Sequence, residues 1–317
     1  MKKSFSPFIS IVLLLFLLAK PKLSFSGARN GLILWADVVL PTLLPFMICT
    51  GAVVALGGVP LLVHPFYFLL DRIFHFSEAG SFVFLSGLLC GYPMGAKTAG
   101  EFVCWNMISK KEGQYLLAVS NHPSPMFLLG YVMAAWTGKD PIPLLLSVYL
   151  PLFPLSKAAR AFYGFPGKTS YPVREKNPAD SYENFSFDKS MMSSFEVMVK
   201  IGGYIMLFSI AAEFIKAISP FSPQVNAILL GITEMTTGIY QISQVIHGLP
   251  LKLALVGVTV FGGLSGIFQT KSVLDNQKNA GLSIRHYIIW KLIHVSLSCI
   301  TLTLLSLVPL PGLALHL

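Results

Sequence analysis

Residues 84–102 read FLSGLLCGYPMGAKTAGEF, glycines followed by a Lys-Thr pair, the residue types that cradle the phosphates of a nucleotide. A phosphate loop needs four residues between its glycines and the lysine directly after the second one. Here three residues separate Gly91 from Gly95, and Ala96 stands before Lys97. The preceding run also lacks the soluble strand-and-sheet setting of such a loop, so nucleotide binding is excluded. What remains is the chemistry of an opened backbone. Gly91, Tyr92, Pro93 and Gly95 interrupt a helix, and Lys97 places a cation about one turn from the break.

Three more apolar stretches are interrupted in the same way. "LLAVSNHPSPMFLLG" carries Asn121, Ser124 and Pro125; "LLGITEMTTGIYQ" carries Glu234, Thr236 and Thr237; "LVGVTVFGGLSGIFQTK" carries Gly262, Gly263, Ser265 and Gln269. A freed backbone amide in hydrocarbon costs several kcal/mol and survives only against protein or a water-filled cavity. Broken helix ends then offer N–H and C=O dipoles to a solute. The residues named in these four stretches form the candidate solute-binding set. Two roles stay open for Lys97, an anion site beside a helix N-terminus or a side chain snorkelling to the interface. Glu234 has three: a coupling proton, a cation or donor group on the solute, or an ion pair with Lys97. The glycines of the last stretch suit tight helix packing as well as ligand approach.

These stretches lie in a chain of 317 residues that is 54% hydrophobic and 12% charged. A soluble domain carries about 25% charged residues, so this chain lacks the polar surface of a water-exposed globule. Its apolar runs have the length that crosses a bilayer as a helix, and the fold class expected is an all-α, polytopic membrane bundle in contact with lipid. The net charge of +9 falls in short clusters between apolar runs, including residues 157–189 and 271–291, the pattern of basic loops held on the cytoplasmic side. That distribution excludes a nucleic-acid partner. The four cysteines (Cys49, Cys90, Cys104, Cys299) form no CxxC pair and the histidines no HExxH, so neither a metal site nor a cofactor is expected. No nucleophile–base pair is apparent, and the chain is not expected to be an enzyme.

Four regions follow. Residues 1–30 hold an uncleaved anchor or short first helix over 5–19. Residues 31–163 form a first membrane half with helices expected at 31–57, 60–74, 79–106, 113–136 and 142–163. Residues 164–193 form a polar cytoplasmic linker. Residues 194–317 form a second half with helices at 194–217, 223–247, 251–270 and 284–309. Asp37 and Glu196 fall near expected helix starts, and Trp35, Trp136 and Trp290 near segment ends as interfacial anchors. Each half opens with a long apolar helix, continues through two interrupted segments and closes with a plain one. The halves are therefore read as weakly similar repeats with discontinuous or re-entrant helices, the arrangement that marks a transporter's binding site.

"LPTLLPFMI", "GYPMGAK", "SNHPSPMFLLG" and "GGLSGIFQTK" together resemble the YlbJ family of sporulation integral membrane proteins. That family belongs among membrane proteins with a nucleoside-recognition or gate domain, alongside the spore maturation proteins. The likeness runs over about residues 30–309, with His122 a departure from the small polar residues expected there. It implies an endospore-forming bacterium and a cell-membrane, multi-pass protein of the mother-cell-derived outer forespore membrane, needed for spore maturation. It also implies re-entrant hairpins and unwound helices around a midplane solute site. The implied cargo is a small anionic metabolite, dipicolinate the leading candidate, whose carboxylates suit a lysine beside helix N-termini. The alternatives implied are a non-transporting scaffold or sensor for spore cortex and envelope assembly, or a nucleoside-transporter-like protein. Homo-oligomers or other sporulation membrane proteins are the protein partners in view.

Overall fold

The computed structural model describes residues 11, 14–138, 140–167 and 187–307, and its regular structure there is helical, without strands. Of the expected anchor over 5–19, residues 14–19 are described and helical; of the expected linker over 164–193, residues 168–186 lie outside the described residues, while 187–193 are helical and open the long helix that follows. Among the described residues, five helices are long and apolar enough to cross a membrane, and a sixth span results if one bent pair is counted together. The chain is a multi-pass membrane protein. Apolar side chains such as Leu61, Phe68, Ile300 and Leu304 are exposed on its outside, where only lipid can cover them.

The long helix expected at 31–57 begins earlier, at residue 21. Pro21 starts α1 (Pro21–Leu34), which runs through a π-helical turn, Trp35–Val39, into α2 (Leu40–Ala55). Its polar opening hides a packing face. A methyl group on Gly27 would meet Ile210 Cα at 2.5 Å and one on Gly31 would meet Met206 Cα at 2.8 Å. These glycines let α1 lie directly on α10 (Phe187–Ile218), where Asn30 also donates to Glu213 Oε1 at 3.2 Å. Asp37 consequently sits in the π turn at mid-helix rather than near a helix start. Glu196 lies inside α10, paired with Lys200. Trp136 and Trp290 are buried, and Trp35 donates its indole N–H to Met198 O at 2.9 Å, so these rings join helices rather than anchor an interface.

After α2, α3 (Val59–Phe74) turns through 98° into α4 (Glu78–Cys90). The expected helix 79–106 is two arms: α4 stops at Gly91, and α5 (Met94–Cys104) folds back along it. Phe82 stacks on Phe102 across the arms, and Ser86 meets Thr98 at 3.3 Å. Then come α6 (Lys110–Val119) and α7 (Pro125–Ala135), which run on rather than fold back, and α8 (Ile142–Tyr149) and α9 (Leu152–Tyr163), which form one span. The second half has a similar order, without a counterpart of α3. α10 is its long helix. α11 (Pro223–Thr233) and α12 (Met235–Val245) make a second hairpin, so close that a methyl on Gly238 would meet Gly231 Cα at 2.0 Å. α13 (Gly248–Phe261) and α14 (Gly263–Asn276) form an interrupted span, and α15 (Ile284–Leu307) closes the half.

Side-chain caps fix several of these starts. Ser77, Ser109, Ser124 and Ser222 each accept a backbone N–H three residues on. Glu112 ties two starts together: it follows the Ser109 cap and its Oε1 accepts from Ser77 N at 2.8 Å. The halves share a core. Leu128, Val132, Leu144 and Val148 of the first pack with Met235, Ile239, Ile242 and Leu255 of the second.

The first hairpin depends on two small residues. Methyl groups on Gly87 and Gly95 would lie 2.0 and 2.2 Å from Ser120 O, a backbone atom with nowhere to move. Gly87→Ala and Gly95→Ala should each cost about 1–3 kcal/mol through overpacking and lower the thermal midpoint of the detergent-solubilised protein. Gly203→Ala, with nothing within 4 Å of the added carbon, should leave that midpoint unchanged.

Candidate functional site

The four interruptions predicted from sequence meet one another. At the first, Gly91 (φ 78°) and a cis Tyr92–Pro93 bond turn the hairpin tip. This tip lies on the loop between α6 and α7, with a Gly91 methyl 3.0 Å from Ser124 N. The Tyr92 ring then crosses to the second half, where Gly262 (φ 79°) and Gly263 (φ 68°) part α13 from α14. A methyl on Gly262 would come within 3.2 Å of that ring. The same break touches the second hairpin tip, since a Gly263 methyl would lie 3.1 Å from Met235 N. Tyr131 of α7 closes the circuit by donating to Thr236 O at 2.9 Å.

Four helix C-termini and four N-termini therefore share one region, and with them the partial charges of their unbonded carbonyls and amides. Each N-terminus is finished differently. Ser124 caps α7, with Pro125 in the first turn. Glu234 caps α12, its Oε2 accepting from Thr237 N at 2.7 Å and Thr236 Oγ1 at 2.6 Å. No side chain caps α14, so its first amides are open to another acceptor.

A cleft opens where these ends meet, with about 540 Å³ between its walls, mouth included, of which about 50 Å³ can hold the centre of a water molecule. Of the residues singled out in the sequence, Gly91, Tyr92, Ser124, Glu234, Thr236, Gly262, Ser265 and Gln269 line it. Glu234 is buried, and both of its hydrogen bonds use Oε2. Its Oε1 has no hydrogen-bond partner among the described residues. Gln269 donates to Ser265 Oγ at 2.9 Å, leaving its carbonyl oxygen as an acceptor at the wall.

The remaining candidates fall around the cleft. Pro93 and Lys97 border a smaller recess with Cys90, Tyr92 and Met94. Gly95 is the close contact with Ser120 described above. Pro125, Thr237 and Gly263 belong to helix starts. Asn121 lies beneath the floor, where its amide donates to Thr270 Oγ1 at 3.1 Å and joins the halves. Of the three roles open to Glu234, the ion pair with Lys97 is not formed in this structure. Lys97 Nζ meets Glu101 Oε1 at 2.7 Å, one turn along its own helix, and Glu234 is held by its own helix start. Local i,i+4 geometry satisfied the lysine before any partner in the other half was needed.

The sequence reading missed the base at the centre. Lys291 of α15 is buried and donates to Asn121 O at 2.6 Å, and its Nζ lies 4.8 Å from the Tyr92 ring centroid. It had been counted with the basic cluster of 271–291. Its signal was available: a lysine within the apolar run of residues 284–307, where an ionisable group marks function by default. His122 lies on the same loop, with Nδ1 against Pro123 O at 3.2 Å and Nε2 buried without a partner.

No protein-family model matches the chain, and no solved structure matches it. In an alignment of 269 positions that covers 77% of this chain, it is 25% identical to the sporulation integral membrane protein YlbJ of Bacillus subtilis (strain 168). The chain spans 62% of the length of that relative. This similarity, over residues that include an all-helical multi-pass bundle, supports a relationship to the YlbJ family.

Proposed function

We propose that the protein is a transporter or facilitator, not an enzyme, that moves a small carboxylate-bearing metabolite across a membrane during sporulation. The observation that carries this reading is the meeting of four helix interruptions, two from each half, around a cleft with Glu234 at its wall. Interrupted helices paired between repeats are how transporters place polar backbone at a solute site inside the bilayer. The likeness to the sporulation integral membrane protein YlbJ supports the sporulation setting; the outer forespore membrane and dipicolinate are the membrane and cargo in this reading.

The charges at the cleft suggest a mechanism. The uncapped N-terminus of α14 presents amides beside Ser265, which suits a carboxylate. Glu234 as a carboxylate repels the same solute across the cleft. A proton on Glu234 removes that repulsion and turns its free oxygen into a donor or acceptor for the solute. Solute and proton then bind together and leave together. The cleft as it stands has room for only a few water-sized molecules, so a planar dicarboxylate is admitted only when a hairpin moves aside. The smooth glycine contacts of Gly231 and Gly238 in the second hairpin, and of Gly262 and Gly263 behind it, allow that movement without unthreading side chains.

Two measurements test this. With the four native cysteines replaced, a single cysteine at Ser265 or Thr236 should react with a small hydrophilic thiol reagent. One at Thr270 or Ser298, both buried away from the cleft, should stay protected; equal reactivity at all four would deny a water-accessible path. In reconstituted vesicles, labelled dipicolinate should accumulate under an inward proton gradient. Glu234→Gln should abolish that accumulation while leaving exchange of internal for external dipicolinate intact. Uptake of neither dipicolinate nor nucleosides above empty vesicles would favour a scaffold or sensor in envelope assembly.

A further inference from the structure

Lys291 is a buried cation without a counter-ion. Among the described residues no carboxylate lies within ion-pair distance of its Nζ, and of its three donors one is used, on Asn121 O. A lone ammonium at bilayer depth is costly, and neutral groups surround this one. The rings of Tyr92 and Tyr287 lie 4.8 and 5.7 Å away. His122, on the adjoining loop, adds a second basic group whose Nε2 is buried and unpartnered. Two basic groups, no acid and unused hydrogen-bonding capacity describe an anion site.

What separates Lys291 from the cleft is the Tyr92 ring. Tyr92 lines the cleft, and the lysine sits over the ring's face. The ring is held by weak partners: its hydroxyl meets Met235 Sδ and, at 3.4 Å, Thr259 O. Its path is bounded by glycine, with Gly262 and Gly266 against the ring and no side chain on either to block it. A thioether is a poor acceptor, so swinging the ring away breaks no strong hydrogen bond. Asn121 O, the lysine's present partner, belongs to the unwound loop between α6 and α7 and stays in place when the ring moves.

We propose that Lys291 is the carboxylate-binding group of the transported solute and that the Tyr92 ring is the gate that admits the carboxylate to it. This rests on the transport reading and deepens it: the ligand is a carboxylate, one end of which passes Tyr92 and replaces the ring over the ammonium. The cation–π contact holds the charge while the site is empty, and a charge-assisted hydrogen bond takes its place when the solute arrives.

Binding to the full-length protein in nanodiscs, with dipicolinate and its neutral diamide as probes, tests the assignment without requiring transport. Lys291→Met should weaken dipicolinate binding about ten-fold or more and leave diamide binding unchanged. Lys291→Arg should retain most of the affinity, and Lys200→Met, in the exposed pair with Glu196 away from the cleft, should retain all of it. Against misfolding of the Lys291 variants, the wild-type lysine can be followed directly by a small amine-reactive reagent and mass spectrometry. Lys291 should label slowly, faster in Tyr92→Ala, and dipicolinate should protect it in both. Dipicolinate binding that is equal in wild type and Lys291→Met, labelling that dipicolinate does not alter, or no binding of dipicolinate at all overturns the proposal. Uptake by vesicles with no dependence on Lys291 would sink this assignment and leave the transport reading standing. Lys291-dependent binding without uptake would do the reverse.

Discussion

A peptide group cut loose from its helix has no water to turn to inside a bilayer, and the architecture of this protein follows from that constraint. Four helices are broken, and each break is covered by another. The Gly91 tip rests on the Ser124 loop, the Tyr92 ring on Gly262, and Gly263 on the Met235 tip. Remove one and its neighbour loses the surface that shields its own open ends. This mutual cover explains why glycine stands at so many of these contacts: a methyl group at Gly95 or Gly263 would push two breaks apart and leave both exposed. It also explains why the polar residues of the site are spread over both halves of the chain.

The interruptions were legible in the sequence because glycine, proline and small polar residues in an apolar run leave few conformations open. Each half holds a long helix, a hairpin, an interrupted segment and a closing span, with α3 additional in the first. The direction of the chain after each break was not legible. "CGYPMGAK" and "SNHPSPMF" contain the same kinds of residue, yet the first folds back and the second runs on. That difference depends on what each arm packs against, Phe82 on Phe102 in one case and the core around Leu128 and Val132 in the other. The early start of α1 was hidden likewise. Gly27 and Gly31 look like breakers until α10 lies on them.

Charges were the least legible feature, for a local reason in each case. Lys97 stood out because it followed a break, yet Glu101 one turn away satisfies it. Lys291 did not stand out because Lys271 and Arg285 precede it within the same stretch of sequence. Counting basic residues by cluster merged a lysine deep in a helix with residues near its start. Burial, not sequence neighbourhood, decides which cation is costly, and burial is set by tertiary packing.

The resulting separation of charge bears on how a solute could be held and let go. The acid at the cleft, Glu234, is fastened to its own helix start by Thr236 and Thr237. The base, Lys291, is fastened to the other half by Asn121. Had the two met, they would have neutralised each other in a fixed ion pair, and opening the cleft would have meant breaking it in a medium of low dielectric constant. Kept apart, with an aromatic ring between the base and the cleft, each group stays available. The acid can take or lose a proton without disturbing the lysine, and the lysine can exchange a ring face for an anion without disturbing the cap of α12. With no counter-charge on either group, no ion pair has to be broken for the cleft to open.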